Sequence, residues 1–240
     1  MAKRPALNLT DLHGNLNSTR AGAVYDQLRH DIALGKLAPG TKLRVEAMCE
    51  RYGVGATPLR EALSRLSAEG LVERSEQRGF SVSVLDWSEL PILRATRCDL
   101  ESIALRQSIE NKTAAWEDEL ALLIHKLGRT PRSLSTEIYE PSPAWELLHQ
   151  QFHRTLLANS PSRWLKSFCD SLTEEAYRFR QIAAGRAFTK RNEHDEHRAM
   201  FEAAIEGRTE DAVALLVEHY TRTSDIVMQS AKDNGHTLVK

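Results

Sequence analysis

No apolar run in this 240-residue chain approaches the roughly 20 residues that a membrane-spanning helix needs. The opening segment, "MAKRPALNLTDLHGNLNSTR", carries basic residues but no apolar core, so no secretory signal is expected. Cysteine is scarce: Cys49, Cys98 and Cys169 are odd in number, widely spaced and set in helical contexts. That pattern reads as reduced core thiols in a cytoplasmic protein, not as a disulfide framework. Strand signals are missing too, since from Asp86 onward only helical periodicity remains.

What is present is an ordinary globular composition, 41% hydrophobic and 27% charged, in a chain long enough for two domains. The net charge of −1 conceals an asymmetry. Residues 1–85 hold 12 Lys+Arg against 9 Asp+Glu, and the remainder holds 20 against 24. A basic front and an acidic back suit a nucleic-acid-binding head joined to a body with other work.

In the front part, "RAGAVYDQLRHDIALG" sets Val24, Leu28, Ile32 and Leu34 near helical spacing, with Gly35 as a stop. A Pro39-Gly40 turn follows in "KLAPGTKL". A second helix fits "RVEAMCERYG", with Val45, Met48, Cys49 and Tyr52 on one side, Gly53 closing it and Val54 packing into the turn. A third begins at 55–57 and runs through "PLREALSRLSAEG", with Leu59, Ala62, Leu63 and Leu66 as its buried stripe. Pro58 is tolerated there because first-turn amides lack helical acceptors. Val72, Phe80, Val82 and Val84 then alternate around a Gln77-Arg78-Gly79 turn, the pattern of a β-hairpin.

Three helices and a hairpin predict a winged helix-turn-helix over 20–85, behind a flexible tail at 1–19. The third helix of such a unit enters the major groove of double-stranded DNA. Its outward side carries Thr57, Arg60, Ser64 and Arg65. Arg60 suits guanine O6/N7 or phosphate, and Thr57 with the helix N-terminus suits phosphate. Arg78 and Gly79 mark a wing tip able to reach the minor groove or backbone. A solvated charged face explains any one of these arginines as well, but not the whole layout.

The stretch from Ile32 to Val82 resembles the DNA-binding head of the GntR family of bacterial regulators. The elements that carry the likeness are "GKLAPG", "GVGATPLREALSRLSAEGLV" and "RGF". One departure matters: the family commonly has Ser-Arg where this chain has Gly55-Ala56. Ala56 cannot make the base contact of that arginine, so either Arg44, Arg60 and Arg78 carry more of the recognition or the operator differs.

Residues 86–240 are expected to form an all-α bundle, with helices at 88–109, 113–128, 142–159, 162–184, 190–206 and 208–232 and a loop over "GRTPRSLSTEIYEPSPAW". The segment "WELLHQQFHRTLL" then raises a question, because His149, Phe152, His153 and Leu156 share one apolar helix face. His197 shares a face with Met200, Phe201 and Ala204, and His219 with Ala212, Leu215 and Leu216. A single inward histidine is commonly a core residue with a hydrogen-bond partner. Four of them on three helices are costly to bury without a shared partner, and a divalent metal satisfies them together. Four neutral nitrogens suit Zn²⁺, and also Ni²⁺ or Co²⁺, better than Mg²⁺ or Ca²⁺. His194, one turn before His197, is a rival ligand or an outer partner. The metalloprotease pattern needs Glu directly after the first histidine, and Gln150 stands there, which disfavours a zinc hydrolase.

The order and spacing also resemble the FCD subgroup of the GntR family, whose all-helical effector domain binds metal. Carried over, the ligands are His149, His153, His197 and His219, with His149 replacing the subgroup's usual acidic residue. "HQQFH", "GVGATPLREALSRL" and "YRFR" resemble one branch, typified by a carbon-starvation-induced repressor. Arg97 and Glu101, in "RCDLESIAL", match an "R-x-x-L-E" element whose arginine faces the effector cavity. Arg178, in "EAYRFRQ", is a second candidate clamp for a carboxylate, with Arg180 on a different face.

The resemblance implies a homodimeric transcription regulator, a repressor on a pseudo-palindromic operator, that senses a small carboxylate such as glutarate. Two other readings stay open. One is a metal-dependent enzyme with a DNA-binding appendage, using Glu101 or Glu196 as base. The other is a DNA-binding protein whose metal is purely structural.

Overall fold

The computed structural model of the chain describes residues 20–33, 35–75, 79–135, 137, 140–183 and 192–233. It is mostly helical, with a winged helix-turn-helix preceding a helical bundle, and it divides into two compact units between Val84 and Leu85.

The first unit contains α1 (Arg20–Ala33), β1 (Lys42–Leu43), α2 (Val45–Tyr52), α3 (Ala56–Ala68), β2 (Val72–Ser75) and β3 (Gly79–Val82). Apolar residues three and four apart turn one face of each helix inward. Val24, Leu28 and Ile32 of α1 meet Met48 of α2, Leu59, Leu63 and Leu66 of α3, and Val72, Phe80 and Val82 of the strands. The link from α2 to α3 is tight because Gly53 adopts the left-handed conformation, at φ 64°, and donates its N–H to the Cys49 carbonyl. A side chain with a Cβ is strained there, and glycine is not.

β2 and β3 pair antiparallel, with Val72 opposite Val82 and Arg74 opposite Phe80. Two features depart from the sequence-based expectation. Lys42–Leu43, expected to belong to a turn, pairs with β3 as a third strand, giving the order β1-β3-β2. Two residues are too few to display an alternation. Val84, expected to face inward, is 67% exposed, because β3 ends at Val82 and the alternation ends with it. The expected positions of Leu34 and Gln77-Arg78 lie outside the described residues.

The second unit opens with a 3₁₀ turn at Trp87–Glu89, capped by Asp86, whose side chain accepts from the Ser88 amide at 2.9 Å. Six helices follow: α4 (Leu90–Glu110), α5 (Ala114–Arg129), α6 (Pro143–Leu156), α7 (Arg163–Ala183), α8 (Glu193–Ile205) and α9 (Thr209–Asp233). All six expected helices of the body are present. Thr113, Ser142 and Asn192 cap α5, α6 and α8 through side-chain oxygens, satisfying amides that lack a helical partner. α4 lies against α7 and α9, α5 against α6 and α8, and α8 against α9.

Two apolar clusters hold the bundle. The larger includes Leu105, Trp116, Leu120, Phe152, Leu156, Met200 and Leu216. The smaller gathers Leu85, Trp87, Leu90, Phe179, Ala183, Val227 and Ala231. Along α4, buried Glu101 falls between Leu90 of the smaller cluster and Leu105 of the larger. Along α9, buried His219 falls between Leu216 and Val227 in the same way. A polar layer therefore interrupts the core, and its cost requires that its members satisfy one another or a ligand.

Candidate metal centre and nucleic-acid interface

The polar layer is built around four imidazoles. α6 supplies His149 and His153, α8 supplies His197 and α9 supplies His219, each from the inward stripe of its helix. One nitrogen from each ring lies within 4.8 Å of all the others. The Nε2 atoms of His149 and His153 are 3.2 Å apart. A tetrahedral zinc ion with nitrogen ligands spaces its donors roughly 3.3 Å apart, so one ion matches this pair.

The tautomers of two rings follow from their outer partners. His219 donates from Nδ1 to Glu196 Oε2 at 2.8 Å, which leaves the Nε2 lone pair facing the other rings. His153 Nδ1 lies 3.3 Å from the Tyr220 hydroxyl, which itself donates to Glu101 Oε2 at 2.5 Å. The single O–H of Tyr220 is engaged by Glu101, so His153 donates from Nδ1 in this contact and its Nε2 also carries a lone pair inward. Inward lone pairs in a buried cluster are what a cation requires and what a hydrophobic core does not.

The electrostatics point the same way. Burial pushes the pKa values of His149 and His153 well below the ordinary imidazole value, assisted by the charge of Arg180 for His149 and by the neighbouring imidazoles for His153. Both are therefore neutral near pH 7, the form in which an imidazole can hold a metal. Trp145 stacks on His149 at 4.7 Å between ring centroids, and Phe152 meets His153 and His197 edge-on. His149 Nδ1 is buried without a hydrogen-bond partner among the described residues.

Around the rings, buried charges come in pairs. Arg97 donates from Nε to Glu101 Oε1 at 2.7 Å and from Nη2 to Thr173 at 3.2 Å, and its guanidinium lies 3.9 Å from the centre of the Tyr220 ring. Burial opposes the charge on Arg97, but Glu101 and Tyr220 together outweigh it and raise the arginine above its ordinary pKa. Burial, then Glu101, likewise holds Tyr220 protonated. Arg97 and Tyr220 also line, with Leu93 and Val227, a cavity of about 40 Å³. Arg180 pairs with Glu146. Arg178 is buried too, but its partner at 3.4 Å is the partly exposed Glu175, and among the arginines it is Arg97 and Arg180, not Arg178, whose charges act on His149 and His153.

The expected residues and the observed site differ in three respects. His194 does not join the cluster; it is exposed, and its ring lies over α5, where a Cβ on Gly128 would come within 2.7 Å of His194 Cε1. Arg180, expected on a different face, is the arginine whose charge acts most strongly on His149. Tyr220 and Glu146 were not expected at all. Glu146 lies three residues before His149 and seven before His153, a spacing that places all three on one face of α6.

In the first unit, Thr57, Arg60, Ser64 and Arg65 are all exposed on α3. They are not equivalent. Arg65 lies 3.9 Å from the centre of the Tyr25 ring, so its guanidinium is drawn back toward α1. Arg60 and Arg44 are exposed and make no ion pair among the described residues. Ala56 and Thr57 form the first turn of α3, behind an extended Gly55 with no side-chain cap, which leaves the turn's amides open to an anion. Gly79 is exposed at the start of β3 with φ 81°, and Arg78 lies outside the described residues.

Comparison with known proteins covers both units. Residues 20–82 match the family model "Bacterial regulatory proteins, gntR family", and residues 93–222 match the FCD domain. The chain is 34% identical to BphR, an HTH-type transcriptional regulator of Paraburkholderia xenovorans (strain LB400), over 86% of this chain and 84% of the relative. It is 29% identical to the HTH-type transcriptional repressor GlaR of Escherichia coli (strain K12), over 88% and 96%. Among solved structures, Escherichia coli McbR/YncC superposes with a TM-score of 0.72 at 20% identity, covering 89% of this chain and 99% of that one.

The lowered pKa values of His149 and His153 carry a testable consequence for the metal-free chain. Below about pH 6.5 the unfolded chain takes up protons that the folded cluster refuses, so stability is full above that value and falls as pH drops. Two refused protons give a slope of about 2.7 kcal/mol per pH unit. Urea unfolding of the metal-free protein should lose midpoint steadily from about pH 6.5 to pH 5 and stay level from about pH 7 to pH 8. A midpoint independent of pH across the acidic range would contradict the burial of neutral imidazoles.

Proposed function

Since the chain belongs to the GntR family of bacterial regulatory proteins and carries an FCD domain, we propose that this transcription regulator is a metal-dependent carboxylate sensor. It acts in the cytoplasm as a homodimeric repressor on a pseudo-palindromic operator, one head per half-site. The observation that carries the sensing role is the cluster of four buried imidazoles, at least two with their lone pairs turned inward.

His149, His153, His197 and His219 hold the ion, with zinc favoured and nickel or cobalt of suitable chemistry. The bound ion supplies an electrophilic centre for a carboxylate oxygen. Glu196 fixes the ring of His219, and Tyr220 fixes that of His153, so the donors keep their aim before the ion arrives. The likeness of "HQQFH" and "YRFR" to the carbon-starvation-induced repressor branch, and the relative whose name is a repressor, favour glutarate or another short dicarboxylate as effector and repression as the outcome. Dimer formation is supported by exposed apolar side chains on adjacent helices, Trp164 and Phe168 on α7 and Ile92 and Ile103 on α4.

Signal reaches the head through α7 and α9. These helices carry Arg180, His219 and Tyr220 at the site, and Phe179, Ala183, Val227 and Ala231 in the cluster that grips Leu85, Trp87 and Leu90. Movement of either helix at the site therefore pulls on the segment that follows the head. By linkage, an effector that weakens DNA binding binds less tightly to the DNA-bound form.

An enzymatic reading finds less support. Gln150 cannot act as base, and the carboxylates around the histidines are engaged, Glu101 by Arg97 and Tyr220, Glu146 by Arg180, and Glu196 by His219.

Thermal-shift titration of zinc-loaded protein with succinate, glutarate, 2-oxoglutarate and citrate tests the sensing role. One acid at about 100 times its Kd should add about 2.7 kcal/mol of apparent stability, and a metal-stripped control should show no gain. Equal shifts with and without metal would remove the ion from the effector site. For the head, Arg60→Ala should weaken operator binding and lower the magnitude of its log–log salt slope by about one if a phosphate contact is lost. Unchanged affinity across salt concentrations would remove Arg60 from the interface.

A further inference from the structure

His219 has an outer partner in Glu196 and His153 has one in Tyr220, but Nδ1 of His149 is buried with none among the described residues. One turn earlier on α6, Glu146 is 3% exposed, and its Oε1 is likewise buried without a hydrogen-bond partner among the described residues. Its other oxygen accepts from Arg180 Nη2. Two polar atoms on one face of one helix are thus left without bonds, and each is costly to bury in that state.

The tautomer of His149 accounts for both. The Nε2 atoms of His149 and His153 lie 3.2 Å apart, close enough that they share either a proton or a cation. His153 carries its hydrogen on Nδ1, toward Tyr220, so a proton in this contact comes from Nε2 of His149. Nδ1 of His149 is then a bare lone pair. That lone pair and a carboxylate oxygen are both acceptors, and two acceptors form no bond. An ion that takes the place of the shared proton reverses the situation. A neutral ring that gives Nε2 to an ion holds its hydrogen on Nδ1, and it needs an acceptor there.

Glu146 stands where that acceptor is required. Helical side chains lean toward the N-terminus, so the ring of His149 lies over the turn that holds Trp145 and Glu146. Trp145 takes the face of the ring, stacked at 4.7 Å between centroids. Of the two residues beneath the ring, Glu146 is the one with an oxygen to offer. The four imidazole nitrogens converge without it, which places it outside the set of ligands.

We propose that Glu146 is the positioning residue of His149, accepting the Nδ1–H of the ion-binding tautomer at Oε1 while Arg180 holds Oε2 and keeps the carboxylate in place. Loading the ion moves one hydrogen of the His149 ring from Nε2 to Nδ1, by exchange with solvent, and the ring stays neutral throughout. This rests on the metal-site part of the proposed function and is independent of which acid the protein senses.

The test pairs zinc affinity, from competition with a chelator, with nitrogen NMR of isotope-labelled histidine rings in the full-length protein. In the zinc-loaded wild type, the His149 ring, assigned through its contact with Trp145, should carry its hydrogen on Nδ1 and exchange it slowly with solvent. The double variant Glu146→Leu with Arg180→Leu removes the acceptor and leaves no charge unpaired. Its zinc affinity should fall about 10- to 100-fold, and the Nδ1 hydrogen should exchange rapidly. Its urea midpoint without metal should be no lower than that of the wild type, because apolar replacement of a buried ion pair is commonly neutral or stabilising. The double variant Glu146→Gln with Arg180→Gln keeps an amide oxygen as acceptor and should hold zinc nearly as tightly as the wild type.

A leucine pair that binds zinc as tightly as the wild type, a glutamine pair that binds as weakly as the leucine pair, or a His149 hydrogen on Nε2 in the zinc-loaded wild type would each overturn the role of Glu146. So would a zinc shell containing an oxygen that the glutamine pair loses, since Glu146 would then be a ligand. Weaker zinc binding with a matching loss of metal-free stability would reduce Glu146 to packing. If the leucine pair does not fold, the wild-type spectrum and the glutamine pair decide. Failure of the wild-type protein to bind zinc would instead overturn the metal reading, and this proposal with it.

Discussion

Burying four imidazoles in one layer of a helical bundle is the constraint from which the rest of the second unit follows. Each ring removes a polar group from water, and the cost is recovered only if every nitrogen has a partner. Glu196 serves His219 and Tyr220 serves His153. These partners are themselves buried or half-buried, so they require partners in turn. Tyr220 needs Glu101, and Glu101 needs Arg97 and Thr173. The layer is thus a connected network, and the residues that close it come from α4, α6, α7, α8 and α9. One ion at its centre would join the lone pairs that these rings turn inward.

Placement of this layer also gives the proposed sensing role a packed route outward. The smaller apolar cluster, with Trp87, Phe179 and Val227, shares α7 and α9 with the polar layer and holds the residues that immediately follow the head. Packed interiors transmit displacement because they have few voids into which a shift can dissipate. A tightly paired charge network adjoining a packed cluster is a physical basis for coupling. Its strength would be set by the differential affinity of an effector for two forms of the protein.

Much of this architecture is legible in the sequence because helices write their faces at a fixed period. The stripe Leu59, Ala62, Leu63, Leu66 is buried as its spacing requires, and the i, i+4 spacing of His149 and His153 puts both rings on the inward face. What was hidden depends on contacts between elements. β1 is two residues long, and only its pairing with β3 defines it as a strand. His194 and His197 lie one turn apart, and the bare backbone of Gly128 on α5 provides the space that His194 takes outside the cluster.

Arg178 and Arg180 illustrate the same limit. Their spacing on α7 says that they point to different sides, but not which side meets Glu146. Tyr220 reads as a core aromatic beside His219, and its role appears only when Glu101, 119 residues away, is seen to accept its hydrogen bond. On α3, the motif that carries the family likeness is equally plain in the sequence. That Arg65 bends back over Tyr25, whereas Arg60 is exposed with no ion pair among the described residues, is a property of the fold.

The central claim is that one divalent ion is bound by four imidazole nitrogens. X-ray absorption at the zinc edge of the zinc-loaded, ligand-free protein tests it directly. The account predicts one ion per chain, a first shell containing four nitrogens at about 2.0–2.1 Å, and the outer-shell scattering of four imidazole rings. A shell with two or fewer imidazoles, or with sulfur, or a protein that retains no stoichiometric metal, would contradict it.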